Sequence, residues 1–398
     1  MTTVENDRIE TIEDVLARIK ELTPLIRKNA AEGDSARRVS EETIDALKEA
    51  GAFRILVPRR VGGLETSSRA LLDVSSAIAE ADGGAAWVVM LSNTNSWLAA
   101  LKGGSDFAEM YAASPDLIIA GVLAPSGTVR KVAGGYRVNG RWPYASASLH
   151  ADWATNGALL VDDDGQALDQ VAIAMPRGDF QVEDTWYVAG MRASGSNTIV
   201  AEDVFVPDTR VVPLLPILMG EYISEHPDAP LYRSAMTSFL NVAVLGPQLG
   251  LGRAALELVR TKAAEKALAY TTITRQADSV AFQLLVAEAA MKIETAHLHA
   301  YRAADDVQAY AEAGIYPELL DRARIRGDVA IALRSINEAL TILLDAHGSG
   351  AFAEVNAMQR IWRDSNTAAR HAVTLPHVSM ETYGKALLGI SEQITPLV

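Results

Sequence analysis

Three hydrophobic patterns succeed one another along the chain. Over residues 1–116 apolar positions recur at helical spacing. Ile44, Leu47 and Ala50 follow Ser40, Glu41 and Glu42, which predicts a serine-capped helix ended by Gly51. Pro58 and Gly62-Gly63 then predict an irregular loop. Over residues 117–213 short apolar runs alternate with turn residues. Gly134-Gly135 opens a strand over Tyr136–Val138, and Asn139-Gly140 predicts a hairpin turn. Asp162–Gly165, Pro176–Asp179 and Pro207-Asp208 divide further strands. Strands spaced about ten residues apart predict a small antiparallel barrel or sandwich. Over residues 214–398 the helical period returns. Ile325, Val329, Leu333, Ile336, Leu340 and Leu343 make one buried stripe on a long helix, which Gly348-Ser349-Gly350 ends. A closing helix is expected over Asn356–Ala372. The fold class is therefore mainly α with a central β domain. It comprises an N-terminal helical domain (1–116), a central β domain (117–213) and a C-terminal helical bundle (214–398).

Composition narrows the function. A chain of 398 residues with 49% hydrophobic content can bury a large core. Its net charge of −14 disfavours nucleic acid and anionic membranes as partners. With no cysteine there is no disulfide, thiolate nucleophile or Cys-based metal site. Met1–Asp14 is polar and acidic, unlike a secretory signal, and no unbroken apolar run approaches the ~20 residues of a membrane span. A soluble, cytoplasmic protein is expected.

Several motifs invite chemistry they do not support. Gly250-Leu251-Gly252-Arg253-Ala254-Ala255 matches GxGxxA, but Gly246-Pro247 precedes it in a broken-helix pattern, and no βαβ unit surrounds it. Close helix packing through small residues is the better reading. His297 and His299 point about 200° apart on a helix and cannot share a metal. His347 reads as a helix C-terminal residue. His150, His226 and His377 have no partners in the sequence pattern.

A second set of segments carries a resemblance. Phe53–Pro58 leads into Gly62-Gly63-Leu64-Glu65. Gly140-Arg141-Trp142-Pro143-Tyr144-Ala145-Ser146 follows in the β block. Asp184-Thr185-Trp186, Gly190-Met191-Arg192-Ala193-Ser194-Gly195-Ser196-Asn197 and Asp203–Pro207 come next. Gln359-Arg360-Ile361-Trp362-Arg363-Asp364, then His371, closes the series. In this order they resemble the flavin-dependent oxygenases of the acyl-CoA dehydrogenase superfamily, over about Leu22–Gly389. Those oxygenases act on p-hydroxyphenylacetate, a phenolic steroid catabolite, dibenzothiophene or indoles.

The resemblance implies an acyl-CoA dehydrogenase-like fold, with flavin between the β domain and a four-helix bundle that usually builds a homotetramer. It implies reduced flavin (FADH2 or FMNH2) delivered by a separate NAD(P)H-flavin reductase. Reaction with O2 would give a C4a-hydroperoxyflavin that hydroxylates a small aromatic or heteroaromatic substrate. By resemblance, Ser146 is the hydroxyl near flavin N5, His371 a base or hydrogen-bond partner, and Arg275 a contact to flavin phosphate. Strand alternation predicts Trp142, Tyr144 and Ser146 on one flavin-facing surface. Asn95, in Thr94-Asn95-Ser96-Trp97, stands where phenol hydroxylases carry a histidine, and Asn366 replaces another. Asparagine hydrogen-bonds but is no base near neutral pH. That favours an already electron-rich, indole-like substrate, or N-hydroxylation of an amine or amino sugar. The dehydrogenases' YEGT glutamate motif is missing from Met380-Glu381-Thr382-Tyr383-Gly384, and their TEP loop from Leu123–Gly127. Dehydrogenation of an acyl-CoA and a non-catalytic assembly are the remaining alternatives.

Overall fold

A computed structural model describes residues 9–102, 105–222 and 228–398. Helix α1 (Ile12–Ala36) starts at a reciprocal cap: Thr11 Oγ accepts the Asp14 N–H, and the Asp14 carboxylate accepts the Thr11 N–H. Ser40 caps α2 (Glu41–Glu49) through the Thr43 N–H, and Gly51 follows at φ 76°. Helices α3 (Ser68–Ala79), α4 (Gly83–Lys102) and α5 (Ser105–Met110) complete the first helical region. Most described residues of α4 are buried, but Leu91, Leu98 and Ala99 are partly exposed.

Seven strands follow: β1 (Ile119–Val132), β2 (Gly135–Ala145), β3 (Trp153–Val161), β4 (Ala167–Pro176), β5 (Gln181–Glu183), β6 (Asn197–Pro207) and β7 (Val211–Pro213). They form one sheet in the order β5-β6-β2-β1-β3-β4-β7. The sheet is mixed rather than antiparallel throughout, because β1 and β3 run parallel. Asn139-Gly140 is not a turn. The β1–β2 hairpin closes at Ala133-Gly134, with Gly134 at φ 79°, and Asn139 lies inside β2. There its Oδ1 accepts the Asp203 N–H at 2.8 Å, beside a break in the β2–β6 register. The side-chain chemistry that suits a turn here serves a bulge.

The C-terminal region holds α6 (Leu214–Leu218), α7 (Met236–Ala243), α8 (Leu245–Ala263), α9 (Val280–Ala313), α10 (Leu319–His347), α11 (Ala357–Ala368) and α12 (Pro376–Leu387). The expected stripe from Ile325 to Leu343 is buried on α10, which packs against α7, α8, α9, α11 and α12. The closing helix stops at Ala368, and the pattern gave no warning of α12. The glycines of the GxGxxA segment lie inside α8. A Cβ on Gly250 would meet the Ser76 carbonyl oxygen at 2.1 Å, and one on Gly246 would meet Ser75 Oγ at 1.9 Å. They allow α8 to lie close against α3, as the packing interpretation requires. Met236–Ala263 is apolar enough to cross a membrane, but 72% of its most apolar window is buried inside the fold.

The two helical regions share one core, in which Trp97 stacks on Phe239 at 4.1 Å. The sheet has a core of its own, centred on Trp142, Val138 and Ile199. The seam between the sheet and the helices is where α4, the end of β2 and α11 meet.

Candidate active site

The turn after β2 carries Ser146 into the interior. The β2–β6 register breaks between Trp142 and Ala145, and Tyr144 adopts φ 66°. A left-handed non-glycine residue interrupts the alternation of a strand. Trp142, Tyr144 and Ser146 therefore diverge, and the expectation of one shared flavin-facing surface is corrected. Trp142 is fully buried in the sheet core, and its Nε1 donates to the Gly157 carbonyl at 2.6 Å. Gly127 and Gly140 make room for it, since a Cβ on either would lie 2.4 Å from its ring. Tyr144 is 70% exposed, and its ring meets Trp186 edge-on. Of the three, only Ser146 turns inward toward α4.

There Trp87 Nε1 donates to Ser146 Oγ at 3.0 Å. The same indole meets the His371 imidazole edge-on, with ring centroids 5.7 Å apart. Trp87 thus joins a hydroxyl from the end of the sheet to an imidazole just past α11. His371 Nδ1 is buried without a hydrogen-bond partner among the described residues. Burial holds its pKa below the usual imidazole value, so the ring is neutral at pH 7.

Two motifs that resemble family segments prove to be physically joined. The Met191 N–H, in the loop after β5, donates to Asp364 Oδ1 on α11 at 2.6 Å. Met191 itself is left-handed, at φ 55°. Arg363 reaches the Ala189 carbonyl and, at 3.1 Å, Asp34 Oδ2 on α1. Gly190 lies against the α11 backbone. The loop and the helix are one unit, and that unit sets the position of His371. The sequence segments contained Ser194, Ser196 and Asp364 but gave them no role, and Trp87 lay in none of them.

Burial, with Asp82 nearby, pushes the Asp364 pKa up to about 7. That lies above the value of an unfolded aspartate. This position therefore favours folding most at low pH, and loses that contribution as pH rises from about 4 to about 7. Asp364→Asn keeps an acceptor for Met191 and removes the charge. It should match the wild type near pH 4 and exceed its stability at pH 8 by on the order of 1–3 kcal/mol in urea unfolding. Lower stability at pH 8 would mean that the charge itself is required.

Asn95 ties α4 to the start of β1, its Nδ2 donating to the Ile119 carbonyl at 3.0 Å. One turn further along α4, Leu98 and Ala99 line an apolar pocket closed by Phe107, Met110, Leu123, Ile173, Ile217 and Met236. Thr155 also lines it, with a buried hydroxyl that has no partner among the described residues. Leu98 lies eleven residues beyond Trp87, about 16 Å at ~1.5 Å per residue. Arg275 is not gathered with these groups. Its side chain is 59% exposed and pairs with Asp278 at 2.7 Å in the connection before α9. His297 turns to Arg253 and His299 to Asp328, on divergent faces as their spacing requires. His347 is the last residue of α10. His226 lies outside the described residues.

A helical region, a mixed sheet ending in a buried serine, and a second helical region leading to a buried histidine together define an acyl-CoA dehydrogenase fold. Residues 18–108 match the family described as "Acyl-CoA dehydrogenase, N-terminal domain", and residues 243–376 match "Acyl-CoA dehydrogenase, C-terminal domain". The structure is similar to XiaF from Streptomyces sp., solved in complex with FADH2 and glycerol. The TM-score is 0.94 and the identity 35%, over 97% of each chain. Indole-3-acetate monooxygenase of Pseudomonas putida is 33% identical over 290 residues, 72% of this chain and 72% of that protein. The flavin-dependent monooxygenase oxygenase subunit HsaA of Rhodococcus jostii (strain RHA1) is 29% identical over 94% of this chain and 98% of its own length. Within the fold, the chain belongs to the oxygenase components of the flavin-dependent monooxygenases.

Proposed function

We propose that this oxygenase receives reduced flavin from a separate NAD(P)H-dependent reductase and hydroxylates a small aromatic or heteroaromatic substrate with O2. The observation that carries this reading is the Ser146–Trp87–His371 contact at the seam, with an apolar pocket further along the same helix. The residues fit a flavin ring. His371 offers an unpartnered buried nitrogen, and Ser146 faces the same seam. Pairing of β1 with β3 lapses between Val122 and Gly127, exposing Ala124-Pro125-Ser126 as an edge for the ring. FADH2 in the solved XiaF complex supports the choice of cofactor. When bound, reduced flavin supplies two electrons, so that one oxygen atom of O2 enters the substrate and the other leaves as water.

The chain's own residues do the rest. Ser146 holds flavin N5 by a hydrogen bond. Trp87 walls the ring from α4 and excludes water. The neutral His371 takes or returns a proton at Nδ1 as the substrate is hydroxylated. The pocket holds the apolar body of the substrate, and the Thr155 hydroxyl, without a partner among the described residues, lines it together with Arg210. A dehydrogenase's carboxylate is not offered by Glu381, which is exposed on α12.

The test supplies chemically reduced flavin and 18O2, without nicotinamide, to a panel of indoles, phenols and amines. A ring-hydroxylated product carrying one 18O supports the reading. Oxygenation confined to amines would replace it with N-hydroxylation, and peroxide as the sole product throughout would refute it.

We also propose a homotetramer assembled through α9. Val280, Leu284, Met291 and Leu298 are 66–73% exposed and follow one another at four- and seven-residue steps. That spacing supports packing of the helix on a second copy of itself. The double variant Leu284→Asp/Met291→Asp should elute with a lower mass by light scattering. An unchanged mass would place the interface elsewhere.

A further inference from the structure

Four side chains and one carbonyl form a continuous buried chain behind Ser146. Trp87 Nε1 donates to Ser146 Oγ at 3.0 Å, Ser146 Oγ lies 2.8 Å from Ser196 Oγ, and Ser196 Oγ lies 2.7 Å from Ser194 Oγ. Ser194 Oγ donates to the Met191 carbonyl at 2.7 Å. Trp87, Ser146, Ser194 and Ser196 are each at most 6% exposed.

The two ends fix the direction of the chain. An indole N–H only donates, and a carbonyl only accepts. Each serine has a single proton. The Ser194 proton is committed to Met191, so Ser196 donates to Ser194, and Ser146 donates to Ser196. Met191 is itself held, because its N–H is bound by Asp364. Ser146 is left with one lone pair, and no proton, to offer the seam.

We infer that Ser196 and Ser194 are positioning residues that make Ser146 a hydrogen-bond acceptor toward flavin N5, and so make the seam select reduced over oxidised flavin. The inference rests on the proposed place of Ser146 at N5. Reduced flavin carries an N5–H that Ser146 can accept. Oxidised flavin presents an N5 lone pair, which meets a second lone pair unless all three hydroxyls reverse. Reversal gives up the Ser194–Met191 hydrogen bond at one end of a cooperative chain. The loss of one such bond corresponds to roughly five- to tenfold in affinity.

The measurement is the dissociation constant of each flavin redox state, oxidised by fluorescence quenching and reduced by anaerobic titration. It is made for the wild type and for Ser196→Ala, Ser194→Ala, Ser196→Thr and Ser146→Ala, each checked for folding by circular dichroism. Ser196→Ala frees the Ser146 proton for oxidised N5. It should lower the oxidised-to-reduced ratio roughly five- to tenfold, mainly by tighter oxidised binding. Ser194→Ala should do the same, because Ser196 can then donate back to Ser146. Ser196→Thr, which keeps the hydroxyl, should keep the ratio. If both alanine variants retain the wild-type ratio, or weaken both states equally, the inference is overturned. Ser146→Ala separates the two levels. If it shifts the ratio while the relay variants do not, only the relay fails. If it leaves both affinities unchanged, Ser146 is not at the flavin, and the inference falls with that placement.

Discussion

Replacing Gly190 by alanine should lower stability by more than about 3 kcal/mol and detach the loop after β5 from α11. A Cβ at this position would lie 2.1 Å from the Arg363 carbonyl oxygen, 2.4 Å from its carbonyl carbon and 2.6 Å from Thr367 Oγ1. The first two are backbone atoms of a helix and cannot swing aside as the tip of a flexible side chain can. To make room, α11 must move, and with it Asp364, the clamp on Met191, and the turn that presents His371. The effect on chemistry should therefore exceed the effect on bulk fold. Urea unfolding measures the first, and product formation with supplied reduced flavin the second. Gly178→Ala is the control, since a Cβ there meets nothing within 4 Å. If Gly190→Ala were as stable and active as that control, the close contact would not govern the site.

Removing the imidazole tests the other end of the same unit. His371→Ala should reduce product formation by about 10²–10³, the range expected when a general acid–base group is lost. Flavin affinity should change by no more than about threefold. The separation of the two effects is what matters. His371 also packs edge-on against Trp87, so a merely structural histidine would loosen the indole and its bond to Ser146. That would weaken flavin binding and product formation together, and equal losses would refute the proton-transfer role. The pH profile gives a second check. Burial lowers the His371 pKa, so the wild-type acid limb should lie below ~6.5, and His371→Ala should lack that limb.

Much of this was legible in the sequence, and the exceptions have specific causes. Ser40, Gly51, the α10 stripe and the strand-rich middle were visible because local chemistry decides each of them. Ser146 and His371 could be proposed because each sits in a contiguous pattern, and the structure brings both to Trp87. Trp87 could not, since its meaning depends on a hydroxyl 59 positions away. It also lies on a helix buried almost all round, whose polar run Ser92–Ser96 covers every face, so no periodicity picks one out. The error over Trp142 and Tyr144 came from assuming that alternation persists to the strand end. Nothing in Pro143-Tyr144-Ala145 announces a tyrosine at positive φ. Asn139-Gly140 misled because the residues that favour a turn also favour a bulge. Arg275 was placed by the resemblance alone, and the structure pairs it locally with Asp278.

Helix α4 works as a ruler. Its first turns fix the indole bonded to Ser146, and its last turn forms part of the pocket wall. Four other wall residues, Phe107, Met110, Ile173 and Ile217, stand on α5, β4 and α6, none of which supplies a member of the Trp87–Ser146–Ser196–Ser194 relay. Under the proposed function, substitutions at those four positions would change substrate preference and leave the relay intact. One scaffold can thereby be retuned from one aromatic compound to another without being rebuilt.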